Sequence, residues 1–469
     1  MDIYKNSVHS AGNTTVSVAR GPKADVLVVR GENPGFSGQV IDGEFIAPEN
    51  HENAVVLRRV FPFTAPVPVL TRKRSFGVGD RLGIASYGHI RVFRKYDAAP
   101  VLAQQSIREL TLTHRDFDNV LDCASYAVFR EDWQGGFGAD GDHLKTDKEV
   151  EYALSCGYTM ITLDCSEHIR NDVEDMPTEQ LKKEYTPNAE LEARYKDKSF
   201  KVENHEIHFT AEELMRCALI YGGAIEHADR IFHSYIKGKP VDFELSIDET
   251  ATPTTPTQHF FVANELSLRH VELATVAPRF CGEFQKGIDY IGDLKQFESE
   301  MAVHAAVARR FGYKLSIHSG SDKLSVFPII GRLTLGNFHV KTAGTNWLEA
   351  MRVTAETDPK LYREVHAYAL VAFHEAKKYY HVTTNLNNIP ALDTLTDAQL
   401  PELFTQNDAR QLIHITYGLI LSAKDENGNS LYRDRLYANW REHDELYAKR
   451  LEQHIGRHLE LLYSQIPQD

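Results

Sequence analysis

The stretch FGADGDHLKTDKEVEYALSCGYTMITLD, residues 137–164, decides the fold. A short apolar run ends in polar residues, a helix-like segment follows, and a second apolar run closes the stretch, as in a strand, a helix and a strand. The same alternation, starting near Phe76, gives eight predicted strands: Arg81 to Ser86, Ala124 to Phe129, Phe137 to Asp140, Thr159 to Asp164, Phe243 to Ile247, Val271 to Ala277, Tyr313 to Ile317 and Phe338 to Lys341. This pattern predicts an α/β fold, a TIM-barrel-like (β/α)8 barrel.

The sequence on either side of this alternation predicts two further regions. Residues 1–70 contain short β-branched runs separated by Gly, Pro and Asn, which indicates a β-rich N-terminal region. The barrel is predicted over residues 71–350, with a charged, helical insertion at about 167–240. In residues 351–469, Leu and Tyr recur at spacings of three and four, which predicts a helical C-terminal extension packed on the barrel.

The composition excludes several classes of partner. The 469 residues include 66 acidic and 52 basic side chains, a formal charge of -14, so nucleic acid is an unfavourable ligand. No apolar run reaches the roughly 18 to 20 residues of a membrane span, and the N-terminus lacks the pattern of a secretory signal. The five cysteines are widely spaced without a CxxC pair, which suits a reduced compartment. We expect a cytoplasmic protein that acts on a small molecule, with homo-oligomer formation left open.

Active sites of (β/α)8 barrels lie where the strands end at the C-terminal face, so the polar residues there are the candidates. Histidine is frequent, with 22 in the chain, and it is the commonest metal ligand. Two or three histidines and a carboxylate from different strands are typical of a catalytic divalent metal. The predicted ligands are His143, Glu283 and His318. His339 is a fourth candidate, as a ligand, as a contact to substrate or as a side chain that points into the core.

Two acids near these ligands are candidates for proton transfer. Asp142 is adjacent to His143 and is predicted as a base, and Glu249 follows the fifth predicted strand as the matching acid. Asp164 is a third acid at a strand end. The positive charge that an acidic protein needs to bind a carboxylate substrate is predicted to come from Lys341, Arg279, Lys323 and Lys145.

Other patterns carry no function. The glycines at 77, 79 and 83 are spaced GxGxxxG and miss the dinucleotide-binding GxGxxG pattern by one residue. His454 and His458 share one helix face but lack the HExxH signature, and we interpret them as surface residues. Cys165 has no adjacent histidine and no GxSxG motif is present, which disfavours hydrolase chemistry.

The longest candidate motifs are SFGVGDRLGIAS at 75–86, GFGADGDHLKT at 136–146, ELSIDETATPTTP at 244–256 and LSIHSGSDK at 315–323. In this order they resemble the tagaturonate epimerases of hexuronate catabolism, over about residues 70–350. The resemblance implies a metal-dependent interconversion of D-tagaturonate and D-fructuronate that needs no nicotinamide. It places the proton acceptor on Asp142, the proton donor on Glu249, and the metal ligands on His143, Glu283 and His318. Asp248 competes with the neighbouring Glu249 for its assignment, and His339 competes with Glu283 as a metal ligand.

The two ketouronates differ at the carbon β to the ketone, whose C–H bond the carbonyl does not acidify. A retro-aldol route solves this problem, because a carboxylate can deprotonate the hydroxyl of that carbon and the adjacent C–C bond can break and re-form. A transient hydride or proton route is an alternative. A metal-dependent aldolase, a ketose isomerase and a non-catalytic sugar-acid binding protein are the alternative functions. Zn, Mn, Co and Ni all accept such ligands, so the sequence leaves the divalent metal cation unidentified.

Overall fold

An antiparallel sheet precedes the barrel in the computed structural model, which describes residues 2–467. Its strands are β1 (Asp2–Ile3), β2 (His9–Ala11), β3 (Thr14–Arg20), β4 (Asp25–Gly31), β5 (Gln39–Ile41) and β6 (Glu44–Pro48). They are ordered β1-β3-β4-β6-β5, with β2 also paired to β3. Helix α1 (His51–Val60) follows, and the carboxamide oxygen of Asn50 caps it by accepting the amide N–H of Asn53. The predicted β-rich character of this region is therefore confirmed.

A closed barrel of eight parallel strands forms the centre of the molecule. The strands are β7 (Arg74–Val78), β8 (Ala99–Ser106), β9 (Gly138–Leu144), β10 (Met160–Asp164), β13 (Asp242–Ile247), β14 (Thr275–Pro278), β15 (Lys314–Ile317) and β16 (Phe338–Thr342), and β11 (Lys198–Val202) and β12 (His205–Phe209) form a separate hairpin. Pairing of Phe338 with Arg74 and of Thr342 with Val78 closes the barrel. The predicted TIM-barrel-like fold is confirmed.

Helices surround the barrel and continue into the C-terminal region. Those associated with the barrel are α2 (Ser86–Phe93), α3 (Ile107–Thr113), α4 (Phe117–Arg130), α5 (Asp147–Ser155), α6 (Thr178–Glu184), α7 (Ala189–Tyr195), α8 (Ala211–Ile231), α9 (Pro256–Leu268), α10 (Leu294–Phe311), α11 (Phe327–Leu333) and α12 (Thr345–Thr357). The later ones are α13 (Pro359–Ala376), α14 (Asn407–Ile415), α15 (Tyr417–Ser422), α16 (Arg433–Glu442) and α17 (Asp444–Tyr463). Among the described residues, no helix is both long and apolar enough to cross a membrane.

Two of the eight predicted strands are wrong. Residues 81–85 form a loop around the Asp80 carboxylate, which accepts the backbone N–H groups of Leu82, Gly83 and Ala85, and Ser86 begins α2. Residues 124–129 lie within α4, where their apolar side chains face the core. The strands in their place are β7 and β8. Strand β8 carries Pro100, Gln104 and Gln105, so it lacks a continuous apolar run, yet all three side chains are buried in the barrel.

The insertion between β10 and β13 contains α6, α7 and α8, and also the hairpin of β11 and β12, which the sequence analysis did not predict. Helix α8 starts at a capping box in which Thr210 and Glu213 exchange side-chain and backbone hydrogen bonds. The limits of this insertion and of the three predicted regions stay predictions.

The surface interpretation of His454 and His458 is wrong. Both side chains lie on α17 against the barrel, and His458 is 1% exposed. The ring of His458 is fully hydrogen-bonded, since its Nε2 accepts the Asp322 amide N–H at 2.8 Å and its Nδ1 donates to the His454 carbonyl at 2.7 Å. These bonds fix α17 to the loop after β15, and they use the lone pair that a metal would need.

Candidate active site

The C-terminal ends of the barrel strands surround a polar cleft of about 210 Å³. Loops after β7, β8, β9, β10, β13, β14, β15 and β16 contribute to it, as do two residues of the C-terminal helical region, Tyr380 and His414. The cleft therefore occupies the position that the barrel fold predicts for an active site. Eight residues that the sequence predicted as candidates line it: Asp142, His143, Lys145, Asp164, Asp248, Glu249, His318 and Lys341.

Three side chains at this cleft could hold a metal ion together. One ligand atom from each of His143, Asp248 and His318 lies within 4.8 Å of the others. They come from three different strands, at the ends of β9, β13 and β15. His143 adopts a left-handed backbone conformation, with φ of 54°, which is uncommon for a residue other than glycine and concentrates at functional sites.

Each of the two histidines presents one nitrogen to a carboxylate. The Nδ1–H of His143 donates to Asp142 Oδ1 at 2.8 Å, which leaves Nε2 for a metal. The Nε2–H of His318 donates to Glu244 Oε1 at 2.7 Å, and the buried Nδ1 has no aligned hydrogen-bond partner in the described chain. Metal-binding histidines typically donate their second N–H to a carboxylate in this way.

Asp248 completes the group from the other side of His318. Its Oδ1 lies 3.2 Å from His318 Nδ1, and adjacent ligands of a cation with bonds of about 2.1 Å are themselves about 3 Å apart. Two imidazoles and one carboxylate with open positions are the donor set of many catalytic divalent metals. The residues present therefore fit a divalent cation.

Lys341 lies beneath this group among three acids. Its Nζ is 2.6 Å from Asp140 Oδ2 and 3.1 Å from Glu244 Oε1, contacts Asp142 Oδ1, and donates to Thr162 Oγ1 at 2.7 Å. The lysine, predicted as a substrate contact, is 4% exposed, and these partners already occupy its ammonium group. Its ion pair with Asp142 also fixes the position of that carboxylate.

Burial and charge set the protonation of this cluster. Burial alone would raise the pKa of Asp142, but the positive charges of His143 and Lys341 lower that pKa well below its usual range. Burial raises the pKa of Asp140 to about 6 although Lys341 opposes it. Burial disfavours protonated His318, yet Asp248 and Glu244 raise the pKa of His318 to about 10. The cluster thus contains an ionised Asp142 and strongly favours positive charge at His318, the position where a cation fits.

Glu283 lies apart from the two histidines it was predicted to join. Its carboxylate is 43% exposed, contacts the Gln285 amide and lies 3.4 Å from His381 Nε2. The loop after β14 that carries it pairs with itself through Glu283 and Ile291, and Glu283 is not among the residues that line the cleft. In the structure, Asp248 takes the third position.

Two further predicted substrate contacts also lie elsewhere. The Arg279 guanidinium donates to the carbonyl of Thr250 and so supports the loop that carries Asp248 and Glu249. His339 is fully buried in the barrel interior, its Nδ1 is 2.9 Å from Ser75 Oγ, and burial lowers the pKa of His339 to about 3. Neither side chain lines the cleft.

The remaining candidates are two lysines whose ammonium groups already have partners and one acid that is exposed to solvent. Lys145 lines the cleft with its Nζ 3.6 Å from Asp164 Oδ2 and 3.4 Å from Glu167 Oε1. Lys323 is buried and donates to three backbone carbonyls. Glu249 is exposed on the rim of the cleft and makes no ion pair among the described residues, so its carboxylate is available to a substrate.

Sequence reasoning missed several polar residues of this site, among them Glu244, Arg81, Lys286 and His414. Glu244 had a readable signal, because Glu244, Ser246 and Asp248 alternate with apolar residues and so share one face of β13. Arg81 lies in a segment that the sequence wrongly predicted to be a strand. His414 comes from α14, 70 residues beyond Gly344, and no local pattern connects it to the barrel.

Known proteins resemble this chain in both sequence and fold. A family model described as tagaturonate epimerase (UxaE) matches residues 4–462. The chain is 40% identical over 472 residues to the tagaturonate/fructuronate epimerase of Thermotoga maritima, covering 98% of this chain and 97% of that relative. A glycerol-complexed crystal structure of fructuronate-tagaturonate epimerase UxaE from Cohnella laeviribosi superposes with a TM-score of 0.97 at 52% identity, over 98% of this chain and 96% of that one. The native crystal structure of that enzyme gives a TM-score of 0.96 at 51% identity, over the same shares of the two chains.

Proposed function

This chain belongs to the tagaturonate epimerase family and is a tagaturonate/fructuronate epimerase, and from that premise we propose that its reaction uses a divalent cation and a retro-aldol route. The observation that carries the proposal is the juxtaposition of two histidines and an aspartate with the ionised Asp142. This juxtaposition combines a metal-binding donor set with a general base in one cleft.

His143, Asp248 and His318 are the residues that would hold the cation. A bound divalent cation would supply Lewis-acid stabilisation of the negative charge that develops on the substrate oxygens. Asp142 and Glu244 orient the two imidazoles by accepting their other N–H groups.

Asp142 is the proposed proton acceptor. Its ionised carboxylate takes the proton from the hydroxyl group on the carbon β to the ketone. The C–C bond between the α and β carbons then breaks, its electron pair moves onto the fragment that bears the ketone, and the β carbon becomes an aldehyde. Lys341 keeps Asp142 ionised and fixed while this happens.

Glu249 is the proposed proton donor. After the aldehyde turns its other face to the fragment, the C–C bond re-forms with inverted configuration, and Glu249 delivers a proton to the new alkoxide. The exposed position of Glu249 on the rim allows it to exchange protons with solvent between turnovers. In the reverse direction the two carboxylates exchange roles.

Epimerisation in D2O tests this route. We expect the product, and the substrate that remains, to carry no deuterium on carbon, because only the hydroxyl proton is exchanged. The measurement is the proton NMR spectrum of the sugar acids at equilibrium. One deuterium on the inverted carbon would contradict the retro-aldol route and require direct deprotonation of that carbon. Accumulation of three-carbon fragments would indicate an aldolase instead.

A further inference from the structure

The cleft contains a second polar group that the proton transfers do not use. Arg81 follows β7, Lys286 follows β14 and His414 lies on α14, and all three line the cleft around Gly344, at the start of α12. We call Arg81, Lys286, His414 and Gly344 the anion pocket.

Close backbone approach brings these side chains together. A Cβ atom added to Gly344 would lie 2.7 Å from Arg81 Nη1 and 2.4 Å from His414 Nε2. At Gly287, next to Lys286, a Cβ atom would lie 3.0 Å from His414 Nδ1. The His414 ring is therefore held between two glycines, with Arg81 next to Gly344 and Lys286 adjacent in sequence to Gly287.

The anion pocket has more hydrogen-bond donors than acceptors. Arg81 is 1% exposed, and its Nε and Nη2 are 2.8 and 2.6 Å from Glu109 Oε1, whereas its buried Nη1 has no hydrogen-bond partner within residues 2–467. Both ring nitrogens of buried His414 also lack a partner in the described chain. A buried polar group without a partner costs about 1–3 kcal/mol, so such a group in a cleft is typical of a ligand contact.

The pocket also carries unbalanced positive charge. Glu109 neutralises Arg81, but no described carboxylate lies within 4.0 Å of the Lys286 ammonium, which donates to Ser319 Oγ at 3.1 Å. Burial, together with the charges of Arg81 and Lys286, lowers the pKa of His414 well below its usual value, so the ring is neutral and has one N–H to donate. Gly344 is the N-cap of the 13-residue helix α12 and provides no side-chain cap, so the positive end of the helix dipole adds to the field.

We propose that the anion pocket binds the terminal carboxylate of the sugar-acid substrate, an inference that rests on the proposed function. Arg81 Nη1, the Lys286 ammonium and the His414 ring would each donate a hydrogen bond to it. Lys341 and Arg279, the anchors predicted from sequence, are already occupied by Asp142 and by the Thr250 carbonyl. A neutral ketose carries a hydroxymethyl group at this position and leaves the Lys286 charge uncompensated, so the pocket selects uronates.

Calorimetric binding of D-gluconate, a six-carbon sugar acid without a ketone, tests the pocket. The full-length protein is first treated with a chelator, so that gluconate cannot bind through a cation. We expect Lys286→Met to weaken binding about 10- to 100-fold, the value of a hydrogen bond to a charged group. His414→Leu, which removes the donor without adding charge, is expected to weaken binding about 10-fold.

Lys182→Met is the matched comparison, because Lys182 lies on α6 outside the cleft and pairs with Glu179 at 2.8 Å. We expect it to change gluconate affinity less than about threefold. Wild-type affinity in both Lys286→Met and His414→Leu, with melting temperatures unchanged, would overturn the proposal. An equal loss in Lys182→Met would also overturn it, since the effect would then come from the overall charge of the protein.

Steady-state kinetics with D-fructuronate distinguish a failure of this proposal from a failure of the proposed function. If the wild-type protein converts D-fructuronate and Lys286→Met raises KM by a factor similar to its loss of gluconate affinity, both stand. A wild-type protein that binds gluconate through Lys286 but never forms tagaturonate would contradict the epimerase function and leave the anion pocket supported.

Discussion

Asparagine in place of Asp142 is expected to lower kcat for D-fructuronate about 10²- to 10⁴-fold, the usual value of a positioned general base. The carboxamide keeps the shape of the side chain and can still accept the Nδ1–H of His143, but it cannot take a proton. The measurement is initial-rate kinetics with the metal-restored protein. KM should change less than kcat, because the lost interaction is made in the transition state.

Asp147→Asn is the control for this prediction. Asp147 lies on α5, five residues from Asp142, and pairs with Arg230 at 2.6 Å outside the cleft. We expect its rate to stay within roughly twofold of wild type, as for most surface substitutions. A kcat for Asp142→Asn above about one tenth of the wild-type value would exclude Asp142 as the proton acceptor.

Glutamine in place of His318 is expected to abolish both metal binding and activity. The substitution removes the Nδ1 ligand and breaks the hydrogen bond to Glu244, so the expected loss in metal affinity is larger than the roughly 10- to 100-fold of an outer-shell change. Metal content per chain after dialysis, measured by atomic emission, and the rate with D-fructuronate check the prediction. The control is His339→Gln, which removes a buried histidine of the neighbouring strand that the structure keeps out of the cleft.

Two substitutions test whether the third metal ligand is Asp248, which the structure places beside His318, or Glu283, which the sequence predicted. Asp248→Asn should lose metal as His318→Gln does, and Glu283→Gln should retain it, because Asp248 lies 3.2 Å from His318 Nδ1 and Glu283 faces His381. Metal retained in Asp248→Asn and lost in Glu283→Gln would contradict the proposed ligand set and restore the assignment to Glu283. Circular dichroism of the variants distinguishes a lost ligand from a lost fold.

The fold was predictable because six of the eight barrel strands are marked by apolar runs. The runs at 159–164 and 243–247 coincide with β10 and β13 to within one residue. Strand β8 was missed because Pro100 interrupts its apolar run and because its buried Gln104 and Gln105 are polar. Gln104 also explains the glycine at position 77, because a Cβ atom on that residue would collide with Gln104 Oε1. The glycine spacing that approached a nucleotide-binding motif therefore reflects packing in the barrel.

The predicted site residues lie together where they sit at strand ends, and they lie apart where a loop positions them. Asp142, His143 and His318 lie directly at strand ends, and the structure brings them together. Glu283 lies five residues beyond β14, in a loop whose course depends on the pairing of Glu283 with Ile291. Lys341 lies on β16 as predicted, but its role depends on Asp140 and Glu244 on other strands.

The most direct test of metal-dependent epimerisation is to follow D-fructuronate by NMR with metal-stripped protein and with the same protein after addition of Zn, Mn, Co or Ni. We predict no conversion by the stripped protein and tagaturonate formation when at least one of these cations is restored. Full activity in the stripped protein, with no metal detectable by atomic emission, would contradict the proposed role of His143, Asp248 and His318.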